Sequence, residues 1–115
     1  MDMPVSAWVK ELPAAVTVCD LEGMIIGMND VSAKTFERYG GLELVGKNLM
    51  DCHPEPARSK LAAMLESGGQ NAYTIEKNGV KKIIHQLPWH ENGELRGLVE
   101  ISVEIPREMA HFVRK

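Results

Sequence analysis

The chain has 115 residues, of which 44% are hydrophobic and 25% are charged. These values are ordinary for one globular domain, and they exclude a two-domain enzyme. The 13 Lys and Arg are interspersed among 16 Asp and Glu, for a net charge of −3, so direct binding of nucleic acid or of an anionic membrane surface is not expected.

The sequence further predicts a cytoplasmic protein without a membrane span. The longest apolar run, residues 61–65, is far shorter than the ~20 residues of a spanning helix, and the N-terminus lacks a signal-peptide pattern. Cys19 and Cys52 are too few for a disulfide scaffold or a four-cysteine zinc site. We expect both to be free thiols.

Residues 1–12 have the spacing of an amphipathic helix. Val5, Trp8, Val9 and Leu12 recur at intervals of three and four residues, which places them on one helical face. A β-hairpin of residues 14–28 is predicted to follow, and then several short helices, the first capped by Asn29 or Asp30.

The last third carries the strongest local signal. Asn78-Gly79 and Asn92-Gly93 suit two-residue hairpin turns, which require positive φ at both positions. They predict three antiparallel strands at about 70–77, 80–91 and 94–104.

If no bulge interrupts these strands, Tyr73 lies opposite Ile84 and Ile84 lies opposite Ile101. His85 then lies opposite Glu100. The inward face of the three strands carries Tyr73, Ile75, Ile84, Gln86, Val99, Ile101 and Val103. The other face carries Ile83, His85, Leu87, Trp89 and Leu98 among polar residues.

The order of these elements resembles a PAS domain, from about Leu12 to Pro106. The matching stretches are Asp20-Leu21-Glu22-Gly23, Met28-Asn29-Asp30 leading to Phe36, Gly46-Lys47-Asn48-Leu49, Pro88-Trp89, Asn92-Gly93-Glu94, and Gly97 to Glu104. The resemblance implies an α+β fold with a five-stranded antiparallel sheet in the order 2-1-5-4-3 and short helices on one face, around a small cavity. The PAS domain is then 13–105, between the N-terminal amphipathic helix (1–12) and a C-terminal helical tail (106–115) that Met109, Phe112 and Val113 suggest.

The cavity is expected to hold a small ligand, with Gln86 and Tyr73 as its polar pair. A buried amide without partners costs ~1 to 3 kcal/mol, so Gln86 bonds a ligand, a water, the backbone or Tyr73. The expected apolar walls are Met28, Phe36, Met64, Ile84, Val99 and Ile101.

The outer sheet face is expected to be an interface. An apolar patch usually marks something that covers it, and the cover is either the N-terminal helix or a second copy of the chain. The predicted homodimer residues are Val5, Trp8, Val9, Leu12, Ile83, His85, Leu87, Trp89 and Leu98.

Other chemistry is weaker in the sequence. Residues 41–48 resemble a phosphate-binding loop but end in Asn48 rather than Ser or Thr, and no nucleophile lies in a suitable elbow, so we predict no enzyme. Leu49 stands where the light-sensing flavin branch of the family has its Cys, which excludes a flavin adduct. No metal site is assigned.

The sequence is compatible with three functions. The first is a PAS-type sensory domain that binds a small ligand, forms a homodimer, and acts on an effector on another chain or outside this sequence. The second is a haem- or metal-binding sensor that uses His53, Cys52 or His85. The third is a structural dimerisation module with no ligand.

Overall fold

The computed structural model of the chain describes residues 6–115, apart from the side chain of Cys52. Val5, assigned above to the N-terminal helix, lies outside the described residues. The strands are β1 (Ala15–Asp20), β2 (Ile25–Met28), β3 (Asn71–Lys77), β4 (Val80–Glu91) and β5 (Glu94–Ile105). The helices are α1 (Ala7–Lys10), α2 (Asp30–Thr35) and α3 (Ala57–Ser67), with short 3₁₀ helices at Glu37–Tyr39, Gly41–Leu44 and Leu49–Cys52.

The five strands form one antiparallel sheet in the order β2-β1-β5-β4-β3. The helices that follow β2 pack on one face of it, and we call this the cavity face. The opposite face is the reverse face. The α+β architecture and the strand order confirm the prediction.

Both predicted Asn-Gly turns are present. Asn78 and Gly79 have φ of 54° and 79°, and Asn92 and Gly93 have φ of 53° and 81°, as turns of this type require. The first turn sets Tyr73 opposite Ile84, as predicted.

The predicted register between β4 and β5 is wrong, because β5 contains a bulge. His90 lies opposite Leu95 but Trp89 lies opposite Gly97, so Arg96 is an extra residue. A bulge shifts the pairing beyond it by one position, which reverses the direction of every later side chain on that strand. Ile84 therefore lies opposite Ser102 rather than Ile101.

The bulge exchanges the two faces of β5 and leaves β4 unchanged. Leu98 and Glu100 face the cavity, whereas Val99 and Ile101 lie on the reverse face. His85 keeps its place on the reverse face, but its partner is Ile101 and not Glu100.

Packing between Trp89 and Gly97 explains the position of this bulge. The Trp89 Nε1 atom donates to the Cys19 carbonyl oxygen at 3.0 Å, across Gly97. A Cβ atom on Gly97 would lie 1.9 Å from that oxygen and 2.7 Å from Nε1. Only glycine leaves room for the indole here.

Two apolar clusters lie between the sheet and the helices. One joins α3 to the sheet, and the other lies below the 3₁₀ helices. The first consists of Cys19, Leu61, Met64, Leu65 and Leu98, and the second of Ile25, Met28 and Leu44. Burial in the first cluster raises the pKa of the Cys19 thiol to about 11, so this thiol is unreactive at neutral pH.

Asn29 caps α2, as predicted, and also joins it to the strands. Its Oδ1 accepts from the backbone N–H groups of Val16 and Ser32, and its Nδ2 donates to the carbonyls of Val9 and Ala14. The side chain is buried. All of its usual hydrogen-bonding capacity is used.

The terminal segments differ from the prediction. Helix α1 has only four residues and buries none of them. The C-terminal helix predicted within 106–115 does not form, and these residues contain no helix or strand, since their few apolar side chains find no surface to pack on. Within residues 6–115, no helix has the length and apolarity needed to cross a membrane.

We predict that Gly97→Ala destabilises the fold by about 2 to 4 kcal/mol, because the added methyl group collides with backbone and with the Trp89 indole. Urea unfolding measures the change. Gly69→Ala is the matched control, since its Cβ would meet side-chain atoms and no backbone, the Ser67 hydroxyl at 3.2 Å and the Met64 Cγ at 4.0 Å. Equal stability of the two variants would contradict this account of the bulge.

Candidate ligand cavity

A cavity of about 720 Å³ lies between the sheet and the helices. This volume is within the range of small-molecule sites, which are mostly apolar with a few placed polar groups. The side chains of the sheet form its floor, and α2 and the 3₁₀ helices supply its roof. The floor residues are Ala15, Thr17, Ile25, Met28, Tyr73, Ile75, Lys82, Ile84, Gln86, Leu98, Glu100 and Ser102, and the others are Thr35, Phe36, Tyr39, Leu44, Lys47, Leu49, His53 and Leu61.

A row of four polar residues crosses the sheet, and three of them, Thr17, Glu100 and Gln86, line the cavity. Thr17 lies opposite Glu100, Glu100 opposite Gln86, and Gln86 opposite Asn71. Asn71 Nδ2 donates to Gln86 Oε1 at 2.9 Å, and Gln86 Nε2 donates to Glu100 Oε2 at 3.0 Å. The partners of the Gln86 amide are therefore Asn71 and Glu100.

Tyr73 lies in the next row of the floor, beside Ile84. Burial raises the pKa of its hydroxyl, and the negative charge of Glu100 raises it further. The phenol therefore stays protonated at neutral pH. It presents both a donor and an acceptor to the cavity.

His53 is oriented by a backbone contact. Its Nδ1 lies 2.7 Å from the Leu49 carbonyl oxygen. Since a carbonyl only accepts, Nδ1 carries the proton, which in the neutral ring leaves Nε2 with a free lone pair. Among the residues that the structure describes, no three His, Cys, Asp or Glu side chains are grouped to hold a metal ion.

Comparison with solved structures decides the fold. The PAS domain of BvgS from Bordetella pertussis is 19% identical, with 87% of this chain and 82% of that one covered, at a TM-score of 0.64. The Aer2 receptor from Vibrio cholerae, described as a dual PAS-heme oxygen sensor, is 20% identical over 81% of this chain and 95% of that one, at a TM-score of 0.60. The chain has the PAS fold.

A further similar structure is VqmA bound to DPO, at 15% identity and a TM-score of 0.64, with 88% of this chain and 56% of that one covered. No protein-family model matches the sequence, and no curated protein is significantly similar to it. The PAS fold is thus established by three-dimensional likeness.

Within the PAS fold, five of the eight predicted ligand residues line the cavity. They are Gln86, Tyr73, Met28, Phe36 and Ile84. Met64, a residue of α3, packs instead in the first apolar cluster. Val99 and Ile101 lie on the reverse face, because the bulge at Arg96 turns them outward.

The residues that sequence reasoning missed come mainly from β5 and β1. Glu100, Ser102 and Thr17 face the cavity. No local signal identifies them, because the apolar residues Val99 and Ile101 fit either face of the sheet as well as Leu98 does.

The reverse face is more apolar than predicted. Ile83, Leu87 and Trp89 lie there, partly exposed, as predicted. They are joined by Val16, Val18, Val99, Ile101 and Val103, which are partly exposed as well. Leu98, predicted for the dimer interface, is buried in the core instead.

Helix α1 is held at the start of α2. The Val9 carbonyl accepts from Asn29 Nδ2, and the Lys10 ammonium lies 3.1 Å from the Asp30 carboxylate. Trp8 is 74% exposed, and Val9 and Leu12 are half-buried. Helix α1 therefore buries no residue against the reverse face.

We predict that Gln86→Glu makes stability depend on pH. The variant places a second carboxylate beside Glu100, and two close carboxylates share one proton, which raises their pKa values in the folded state above the ~4.3 of unfolded Glu. Stability is then kept at acid pH and lost as pH rises through the raised values. Urea unfolding is expected to show a deficit of about 1 to 3 kcal/mol at pH 8 and a smaller one at pH 5.

The double variant Gln86→Glu/Glu100→Gln is the control. It exchanges the two groups and restores a donor between them. A deficit that grows with pH to the same extent in both variants would contradict the geometry of the row.

Proposed function

We propose that this chain is a sensory domain that binds a small molecule in its cavity and forms a homodimer through the reverse face. The observation that carries the proposal is a cavity of about 720 Å³ whose apolar walls surround one polar row. Similar structures include a PAS-heme oxygen sensor and VqmA bound to DPO. Both are described together with a small molecule, which supports a small-molecule site in this fold.

Strand β5 offers a route from ligand to interface. Glu100 and Ser102 line the cavity, and the alternating residues Val99 and Ile101 lie on the reverse face. A ligand that favours one position of β5 therefore also favours one arrangement of the reverse face. We propose that the sensory unit spans 13–105, works in the cytoplasm by binding rather than turnover, and acts on an effector on another chain or outside this sequence.

We predict that indole, used as a small apolar probe, binds the parent chain in saturation-transfer NMR and does not bind Ser102→Phe. The added ring fills the cavity from its floor. Val103→Phe adds the same ring one residue later, on the reverse face, and is expected to leave binding intact. Equal binding by both variants would overturn the cavity as the ligand site and favour the structural dimerisation module.

We predict that the parent chain is a dimer in sedimentation velocity and that Ile101→Lys is a monomer. An unpaired charge at the centre of an apolar interface opposes its burial. Val80→Lys is the control, because Val80 is also a partly exposed strand residue but lies on the other face. A monomeric parent chain at its highest soluble concentration would contradict the dimer.

A haem sensor is the second candidate, and His53 is the observation that favours it. Its Nδ1 contact with the Leu49 carbonyl directs the Nε2 lone pair away from that backbone, as in histidine ligands oriented by a backbone acceptor. When bound, haem would supply the site for a small gas. The cavity walls suit its apolar ring.

Haem titration followed by absorption spectroscopy tests this candidate. A Soret shift that is lost in His53→Ala and kept in His85→Ala would support it, since His85 lies on the reverse face. A spectrum equal to that of free haem would exclude it.

A further inference from the structure

The chemical class of ligand can be inferred from the Glu100 carboxylate, if the cavity binds a small molecule as proposed above. Glu100 lies in the middle of the floor, between Thr17 on β1 and Gln86 on β4. Each neighbour already has a hydrogen-bond partner. The Thr17 hydroxyl is hydrogen-bonded to Ser32, and the Gln86 amide is shared between Asn71 and Glu100.

Among the described residues, only one oxygen of this carboxylate has a hydrogen-bond partner. Oε2 accepts from Gln86 at 3.0 Å, and no other described residue donates to Glu100 or forms an ion pair with it. The remaining oxygen is an acceptor that shares the negative charge of the carboxylate, in a cavity with mainly apolar walls. Such a group binds donors strongly, and charged donors most strongly.

The two lysines that line the cavity do not neutralise it. Lys47 is exposed, and Lys82 lies opposite Glu104, four residue pairs along the β4–β5 ladder from Glu100. Long side chains of this kind carry the ammonium group towards water. They place positive charge at the margin of the cavity, and the negative charge remains at its floor.

We propose that the cavity selects small, mainly apolar molecules that present a protonated amine, with the amine bound by the Glu100 carboxylate. The apolar body lies against walls such as Met28, Phe36 and Ile84. The amine donates to the free oxygen of Glu100 and has the Tyr73 hydroxyl in the next row as a second acceptor. A carboxylate in the same position would meet like charge.

Three indole probes test the proposal, because they share one ring system and differ in charge. Tryptamine carries an ammonium group, indole is neutral, and indole-3-acetate carries a carboxylate. Affinities are measured by NMR titration on the parent chain, on Glu100→Gln, and on Glu104→Gln as a control. Glu104 lies on the same strand and the same side but outside the cavity lining.

Tryptamine is expected to bind the parent chain about tenfold more tightly than indole, and indole-3-acetate more weakly than indole. Glu100→Gln should remove the preference for tryptamine and keep indole binding. Glu104→Gln should change neither.

Other outcomes overturn the inference. A preference for indole-3-acetate would show that Lys47 and Lys82 select the ligand. If Glu100→Gln and Glu104→Gln weaken tryptamine binding equally, only the overall negative potential of the sheet attracts the amine. If Ser102→Phe still binds indole as the parent chain does, the proposed ligand function itself is wrong. If indole is displaced but the three probes bind alike, the function stands and the amine preference is wrong.

Discussion

The contact between Trp89, Gly97 and the Cys19 carbonyl determines which face of the sheet each later side chain of the central strand, β5, lies on. The indole crosses β5 only where the strand has no side chain, and this places Arg96 in a bulge. Every residue of β5 beyond it takes its direction from that point. The acidic group of the cavity and the apolar rows of the reverse face are both results of this one contact.

Much of the fold could be predicted from local signals. The Asn-Gly turns determine the conformation of two pairs of residues, and Asn29 ends its strand segment and starts a helix because its side chain substitutes for missing backbone partners. Signals of this kind act over a few residues. For that reason most strand limits were predicted correctly, whereas the correct strand order came from the resemblance to PAS domains.

Local signals could not predict which side chains of β5 face the cavity. A bulge depends on what lies across neighbouring strands, and Trp89 and Cys19 are 70 positions apart in the sequence. The prediction counted pairs outward from the turn and placed Val99 and Ile101 in the cavity, although their apolar character fits either face of this sheet. No local feature of the sequence indicates that a carboxylate faces the cavity, so Glu100 was not predicted as a cavity residue.

Asn29 connects three parts of the molecule through one side chain, with a consequence for mechanics. Its Nδ2 holds the carbonyls of Val9 and Ala14, while its Oδ1 holds β1 at Val16 and the first turn of α2 at Ser32. A pulling force on the segment before β1 is therefore delivered to the first turn of the helix that roofs the cavity. One buried amide therefore couples the position of the leading segment to that of the roof helix.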